Sequence, residues 1–256
     1  MAEQKSRRIA LSLPRSWVGD LLYFAKDVPV VAGERTIRIK AIAQARAAIP
    51  KPPSWLALLV KGLGIVSQRM PELRRSYMPY PWPHLYESGH SVAAITMHRV
   101  YEGENATFLA GMPRPEEATI DKIQTRLHKF QNAPIEEVSS FRRMIGLTKL
   151  PFPLRRIAWW FGLNALGKYR VQFYGTFSIN SVAALRSRML QFITLTPSLF
   201  YYDKPTDGEL NLQIAFDHRV YDGVTAARAM NELESVLNTE ILAELQPPQT
   251  GLRLAA

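Results

Sequence analysis

The chain has 256 residues, of which 47% are hydrophobic, enough for a sizeable buried core and so against disorder of the whole chain. Its 18 prolines and 14 glycines are scattered as loop punctuation, with no low-complexity tract and no fixed-period repeat, which sets aside solenoids and propellers. Cysteine is absent, so disulfides, a cysteine nucleophile and thiolate metal sites are excluded, and any thiol in the chemistry belongs to a substrate.

The first eight residues are polar and no apolar segment with a cleavage site follows, so a cytoplasmic protein is expected rather than a secreted one. No run reaches about 18 uninterrupted apolar residues, so no spanning helix is expected. A formal charge of +10 favours anionic partners such as nucleotides, coenzyme A, acidic lipid surfaces or nucleic acid. Aromatic residues are not interleaved with glycine and basic residues, and no recognition-helix or zinc-finger pattern occurs, so nucleic acid is not expected among them.

In chain order, an amphipathic stretch from Pro14 to Lys26 precedes short strands at Val28–Val31 and Thr36–Ile39 around a Gly33 turn. A helix is predicted from Ala41 to Ala48. After the proline-rich break at Ile49–Pro53, Ser54 offers an N-cap for a strongly apolar helix over Trp55–Met70, ended by Pro71. Ser91–Met97 and Ala106–Leu109 read as strands before a Pro113/Pro115 turn. Ile120, Ile123, Leu127 and Phe130 give a helix from Glu116 to Gln131 one apolar face, and Glu116 and Glu117 suit its N-terminus.

Residues 132–170 are less regular, with a basic and aromatic helix at Leu154–Leu166 that sets Leu154, Ile157, Trp160 and Phe161 on one side. Strands follow at Gly175–Ile179, Phe192–Thr196, Phe200–Tyr202 and Glu209–Phe216, with a helix or loop near Ser181–Met189. The last helix, Val224 to about Leu245, sets Ala227, Met230, Leu233, Val236 and Leu237 on one face. No linker divides the chain, so one domain is expected.

Of the five histidines, His218 has the most telling neighbourhood: it ends a predicted strand, stands four residues before Asp222-Gly223, and a well-formed helix follows. Loops between rigid elements concentrate catalytic side chains, and an imidazole, with an unperturbed pKa of about 6.5, can take a proton from a thiol or hydroxyl near neutrality. His-x-x-x-Asp-Gly spacing alone leaves His218 open between a base and a packing residue, and Asp222 open to a plain N-cap role. No second histidine or carboxylate cluster supplies the ligands zinc requires, so no metal is expected.

The segment Leu212-Gln-Ile-Ala-Phe-Asp-His-Arg-Val-Tyr-Asp-Gly-Val-Thr-Ala-Ala-Arg-Ala-Met resembles the C-terminal signature of the acyltransferase components of 2-oxoacid dehydrogenase complexes. More distantly, it is similar to the motif of chloramphenicol acetyltransferase and of peptide-synthetase condensation domains. Gly175-Thr-Phe-Ser-Ile-Asn-Ser181 resembles a second family stretch in the right order, and Trp55–Leu73 the family's long helix, so roughly residues 54–131 and 171–245 are covered.

The resemblance implies an α/β fold: a chloramphenicol-acetyltransferase-like mixed sheet with flanking helices in a single catalytic domain over residues 1–245, with a tail at 246–256. It implies a homotrimer, or a multiple of trimers, with the active site between subunits. In this reading His218 deprotonates the acceptor, which attacks an acyl thioester with no covalent acyl-enzyme. Acyl-CoA or CoA is a substrate, and no cofactor is tightly bound. Asp222 and Gly223 support the site, the aspartate by pairing with an arginine for which Arg7, Arg8 and Arg15 are loose candidates. The family's oxyanion donor is a serine or threonine where this chain has Asn180, next to Ser181; either side chain can donate.

The chain departs from the family in three respects. Besides Asn180, it has no lipoyl attachment site, which favours a stand-alone acyltransferase. The stretch 132–170 is longer than the family's, and residues 152–166 could lie on a membrane surface, as for a protein peripheral to the inner face of the membrane, or receive a long acyl chain. Packing of that helix on the core is the slightly favoured reading. Beside the CoA-dependent acyltransferase stand two alternatives: a catalytically silent scaffold of the same fold, and a membrane-surface acyltransferase acting on a lipid precursor.

Overall fold

The computed structural model describes residues 8–181 and 193–246. Its frame is a six-stranded mixed sheet in the order β1-β8-β7-β6-β4-β5, formed by Val30–Arg38 (β1), Val92–Tyr101 (β4), Glu104–Pro113 (β5), Phe177–Ser181 (β6), Ser198–Tyr202 (β7) and Glu209–Asp217 (β8). β6 runs parallel to both β4 and β7, and the remaining pairs are antiparallel. Arg75–Met78 (β2) and His84–Glu87 (β3) form a separate hairpin.

Local chemistry starts the helices where the sequence suggests. Ser12 caps α1 (Leu13–Ala25), Ser54 caps α3 (Trp55–Arg69) and Thr119 caps α4 (Ile120–Asn132), each side-chain oxygen accepting from a backbone amide of the first turn. α2 spans Lys40–Ala47. Glu116 and Glu117 lie on a separate 3₁₀ turn, Pro115–Glu117, so α4 begins later than its charge pattern predicts. Gly175 precedes β6 with φ of +87°, and a Cβ there would meet the Val92 carbonyl at 2.8 Å, so the approach of this turn to β4 requires glycine.

Three expectations differ from the structure. Val28–Val31 and Thr36–Ile39 are not two strands about a turn: Gly33 pairs with Ile214 in the middle of an unbroken β1. Residues 193–196 are not a strand, because Thr194 and Thr196 turn their hydroxyls onto each other and onto the carbonyls of Thr196 and Ser198, a local alternative to a ladder. The last helix, α8 (Gly223–Val236), buries Ala226 and Ala229 rather than Ala227, and continues through a π turn at Leu237–Ile241 into α9 (Leu242–Leu245). The helix or loop expected near Ser181–Met189, the side chain of Ser181, Arg7, Phe192 and the tail beyond residue 246 lie outside what is described.

The irregular stretch is three helices: α5 (Ser139–Thr148), α6 (Phe152–Asn164) and α7 (Gly167–Tyr174). α6 is split in character. Trp159 is fully buried among Trp17, Phe24 and Tyr174, whereas Leu154, Ile157, Trp160 and Phe161 are exposed. Arg155 and Arg156, which the sequence places on a basic surface, turn inward to the buried carboxylate of Asp20 on α1, at 2.6 and 3.2 Å. Burial raises the Asp20 pKa above the usual carboxylate range, and the two guanidinium groups pull against that shift.

This ion cluster ties α6 to α1. Asp20→Asn leaves two arginines sharing no carboxylate, and removal of one partner from a buried ion pair typically costs about 3–5 kcal/mol. The expected result is a urea midpoint lowered by a loss of that order, with α6 becoming susceptible to proteolysis before the sheet unfolds.

Candidate active site

His218 follows β8, and its position is set from both sides of the turn. Its backbone amide donates to the Pro29 carbonyl at 3.0 Å, and that of Asp217 donates to Pro197 at 3.0 Å. Asp217 is buried, and its carboxylate accepts from the Arg219 amide, Nε and Nη2 at 3.1, 2.9 and 2.8 Å. The Arg219 guanidinium in turn lies 4.5 Å from the ring centroid of Tyr77.

The imidazole itself is exposed. Its Nδ1 lies 3.2 Å from the Tyr221 carbonyl oxygen, which can only accept, so Nδ1 carries the proton and the neutral ring keeps its lone pair on Nε2. Tyr221 is fixed by stacking on Phe216 at 5.0 Å and by a 2.7 Å hydrogen bond between its hydroxyl and Ser198 Oγ, and burial raises its pKa. The imidazole meets Phe216 in a T-shaped contact with ring centroids 5.8 Å apart, and its accepting nitrogen is left available.

Asp222 caps α8, with Oδ1 accepting from the Thr225 amide at 2.8 Å; that bond and its neighbours hold the carboxyl below its usual range. Among the described residues no arginine of the same chain reaches it, and Arg15 pairs with Glu104 instead. Gly223 is the first residue of α8. The carboxylate–arginine pair that holds the histidine turn is Asp217 with Arg219, which the sequence reading overlooked although both residues flank His218. An aspartate at an otherwise apolar strand end, two residues before an arginine, was the available signal.

Asn180 lies on β6 and its Nδ2 donates to the Tyr201 hydroxyl at 3.0 Å, while its Oδ1 is buried without a hydrogen-bond partner. Strand alternation sends Phe177 and Ile179 into the core and Ser178 and Asn180 into a cavity of about 340 Å³ beneath α1, walled by Trp17, Val18, Leu21 and Leu109. The same chain does not bring Asn180 to His218. Asn180 pairs with Tyr201, which pairs with Gln213, five residues before His218 along β8. At about 3.3 Å per residue that separates them by roughly 16 Å along the sheet, with two strand spacings between. Ser181, next along β6, lies one step farther from the His218 end.

No family model matches the sequence, and no curated protein matches it. Solved structures do. The chain is similar to dihydrolipoamide acetyltransferase of Azotobacter vinelandii, at 15% identity over 94% of this chain and 95% of that one, with a TM-score of 0.67. That structure addresses the catalytic roles of a serine, a histidine and an asparagine four positions after the histidine. The cubic core of a pyruvate dehydrogenase multienzyme complex matches at 15% identity over 94% and 95% of the two chains, TM-score 0.64, and chloramphenicol acetyltransferase at 15% over 86% and 94%, TM-score 0.51. The class is thereby set: this is a single α/β domain with the fold of the acyltransferase catalytic cores and of chloramphenicol acetyltransferase.

Asparagine caps a helix as well as aspartate but does not titrate. Because the folded pKa of Asp222 is depressed, its capping contribution is complete above the unfolded value of about 3.9 and is lost as pH falls through the lower folded value. Asp222→Asn is expected to match the parent's Tm at pH 7 and to lose less Tm between pH 5 and pH 2, as followed by circular dichroism.

Proposed function

We propose that the chain is a CoA-dependent acyltransferase in which His218 is the general base. The observation that carries this reading is the Nδ1 contact to Tyr221, which leaves an exposed, accepting Nε2 on a turn held by Asp217 and Arg219. Nε2 takes the proton of an acceptor thiol, hydroxyl or amine. The freed electron pair attacks the thioester carbonyl, the tetrahedral oxyanion collapses, and the CoA thiolate leaves and recovers the proton from the imidazolium. No covalent acyl-enzyme is needed. The chain's excess of cations would help attract the phosphates of the coenzyme.

An oxyanion donor is required near Nε2, and Asn180 and Ser181 of the same chain are too far away. A homotrimer, or a multiple of trimers, answers this, with β6 of one copy set against the His218 turn of another. The likeness to a cubic core supports this assembly, since a cube has three-fold corners. Asp222, four residues after His218, occupies the spacing of the asparagine studied in the Azotobacter enzyme, and with Gly223 supports the loop as the start of α8.

Thiol release from a panel of acyl-CoAs, with pooled acceptors, tests the reading. His218→Ala is expected to lose about 10²–10⁴ in turnover while sedimenting as the same trimer. Unchanged release in the variant, or none from the parent with any donor, would leave a silent scaffold of this fold.

A membrane-surface enzyme is the second reading, and a specific observation favours it. From Val138 to Tyr202 the sequence has nine lysines and arginines and no aspartate or glutamate; Arg155, Arg156 and Arg170 turn inward, and within this stretch Leu150, Phe152, Leu154, Leu166 and Tyr169 are exposed. Such a protein would be peripheral to an anionic membrane face, including the cytoplasmic one. Flotation with phosphatidylglycerol vesicles, but not with neutral ones, is the expected outcome, lost on Leu150→Glu with Leu154→Glu.

A further inference from the structure

Two adjoining cavities open between α1 and α6, on the side of the sheet end that carries the His218 turn. The first, about 280 Å³, is walled by Lys26, Asp27, Tyr77, Asn164, Arg170 and Arg219. The second, about 380 Å³ and mostly apolar, is walled by Phe152, Arg156, Ile157 and Phe161. Tyr23, Phe24 and Trp160 belong to both, so the two adjoin across these three rings, and each is near the lower end of the roughly 300–1,000 Å³ typical of small-molecule sites.

The polar half holds a charge that no carboxylate among the described residues pairs directly. Arg170 is 6% exposed, and its Nη1 and Nη2 donate to the carbonyls of Tyr77, Leu163 and Leu195 at 2.8, 2.8 and 3.0 Å. Its Nε has no hydrogen-bond partner, and among the described residues no carboxylate lies within ion-pair distance. Burial lowers its pKa to about 10, which still leaves it charged at neutral pH. Asp217 acts on it from farther away but is already committed to Arg219. Among the described residues the charged groups that wall the two cavities are Lys26, Arg156, Arg170 and Arg219 with Asp27, while Asp20 and Asp217 stand behind the walls, paired with Arg156 and Arg219. A buried cation is stable when an oxyanion completes its shell, and an aromatic groove beside it suits an alkyl chain.

We propose that the adjoining cavities bind one single-chain amphiphile, its carboxylate or phosphate head at Lys26, Arg170 and Arg219 and its alkyl chain along Phe152, Ile157, Trp160 and Phe161. Arg219 is the residue after His218, so the head of such a ligand sits beside the turn that carries the base. The inference thereby assigns the acyl acceptor to amphiphilic anions with a nucleophile near the head. That assignment rests on the acyl-transfer reading, whereas the binding itself does not.

Dodecanoate, dodecyl phosphate and neutral dodecanol, each below the concentration at which it aggregates, are titrated into the full chain by calorimetry and tryptophan fluorescence. Both anions are expected to saturate at one per chain, with dodecanol about ten-fold weaker or more, the scale of one lost charge-assisted contact. Their relative affinity tells a carboxylate head from a phosphate. Arg170 substitutions risk the fold, so the variants are Lys26→Glu, which should weaken the anions alone, and Ile157→Glu, which should weaken all three. His218→Ala should bind like the parent; intact binding with no acyl transfer sinks the enzymatic reading and leaves the site standing. Absence of saturable binding, equal binding of dodecanol, or indifference to both substitutions overturns the site.

Discussion

Asp217 ends β8 inside the protein, where an unpaired carboxylate would be costly, and that single constraint shapes the turn after it. The compensating cation comes from two residues further on, so the chain must fold back at once. This bend exposes His218 between them, and its imidazole then finds the Tyr221 carbonyl. The buried pair thus fastens the histidine turn, and the Tyr221 carbonyl that the imidazole meets there sets which ring nitrogen holds the proton. Arg219, spread over Tyr77, carries the same constraint to the β2 hairpin and to the rim of the cavity beneath α6.

The sheet explains why such a turn is insufficient by itself. β6, β7 and β8 are in fixed register, so Asn180 and His218 are held apart as rigidly as each is held in place. No side-chain rotation closes a gap of roughly 16 Å along strands that rise about 3.3 Å per residue. Were Asn180 to serve the His218 of another copy, as the proposed reaction has it, assembly would be part of the chemistry and not only a source of stability.

What was legible in the sequence was local. The Ser54 cap and apolar periodicity placed α3 and the body of α4, alternation placed β8, and the motif around His218 pointed to the mixed-sheet fold. Longer-range physics escaped it. Gly33 looked like a turn because nothing local shows that β8 will pair along its whole length. Arg155 and Arg156 read only as the basic part of an aromatic helix because their partner, Asp20, lies on another helix far away in the chain. The motif drew attention to Asp222 and not to Asp217, since only the fold reveals that Asp217 is buried and paired with Arg219.

Fold likeness at 15% identity transfers the frame and not the substrate. The frame here is the sheet with α3, α4 and α8. Beside that frame, α5 and α6 pack on α1, and α6 is held down by a buried ion cluster and by Trp159. Holding a helix by two arginines on one carboxylate is an expensive way to fasten it, since well-packed apolar residues often do as well. A polar fastening does, however, leave the outward face of α6 free of packing duty. Ile157, Trp160 and Phe161 are accordingly half-exposed apolar groups with no core to serve, next to an arginine with an unfilled shell.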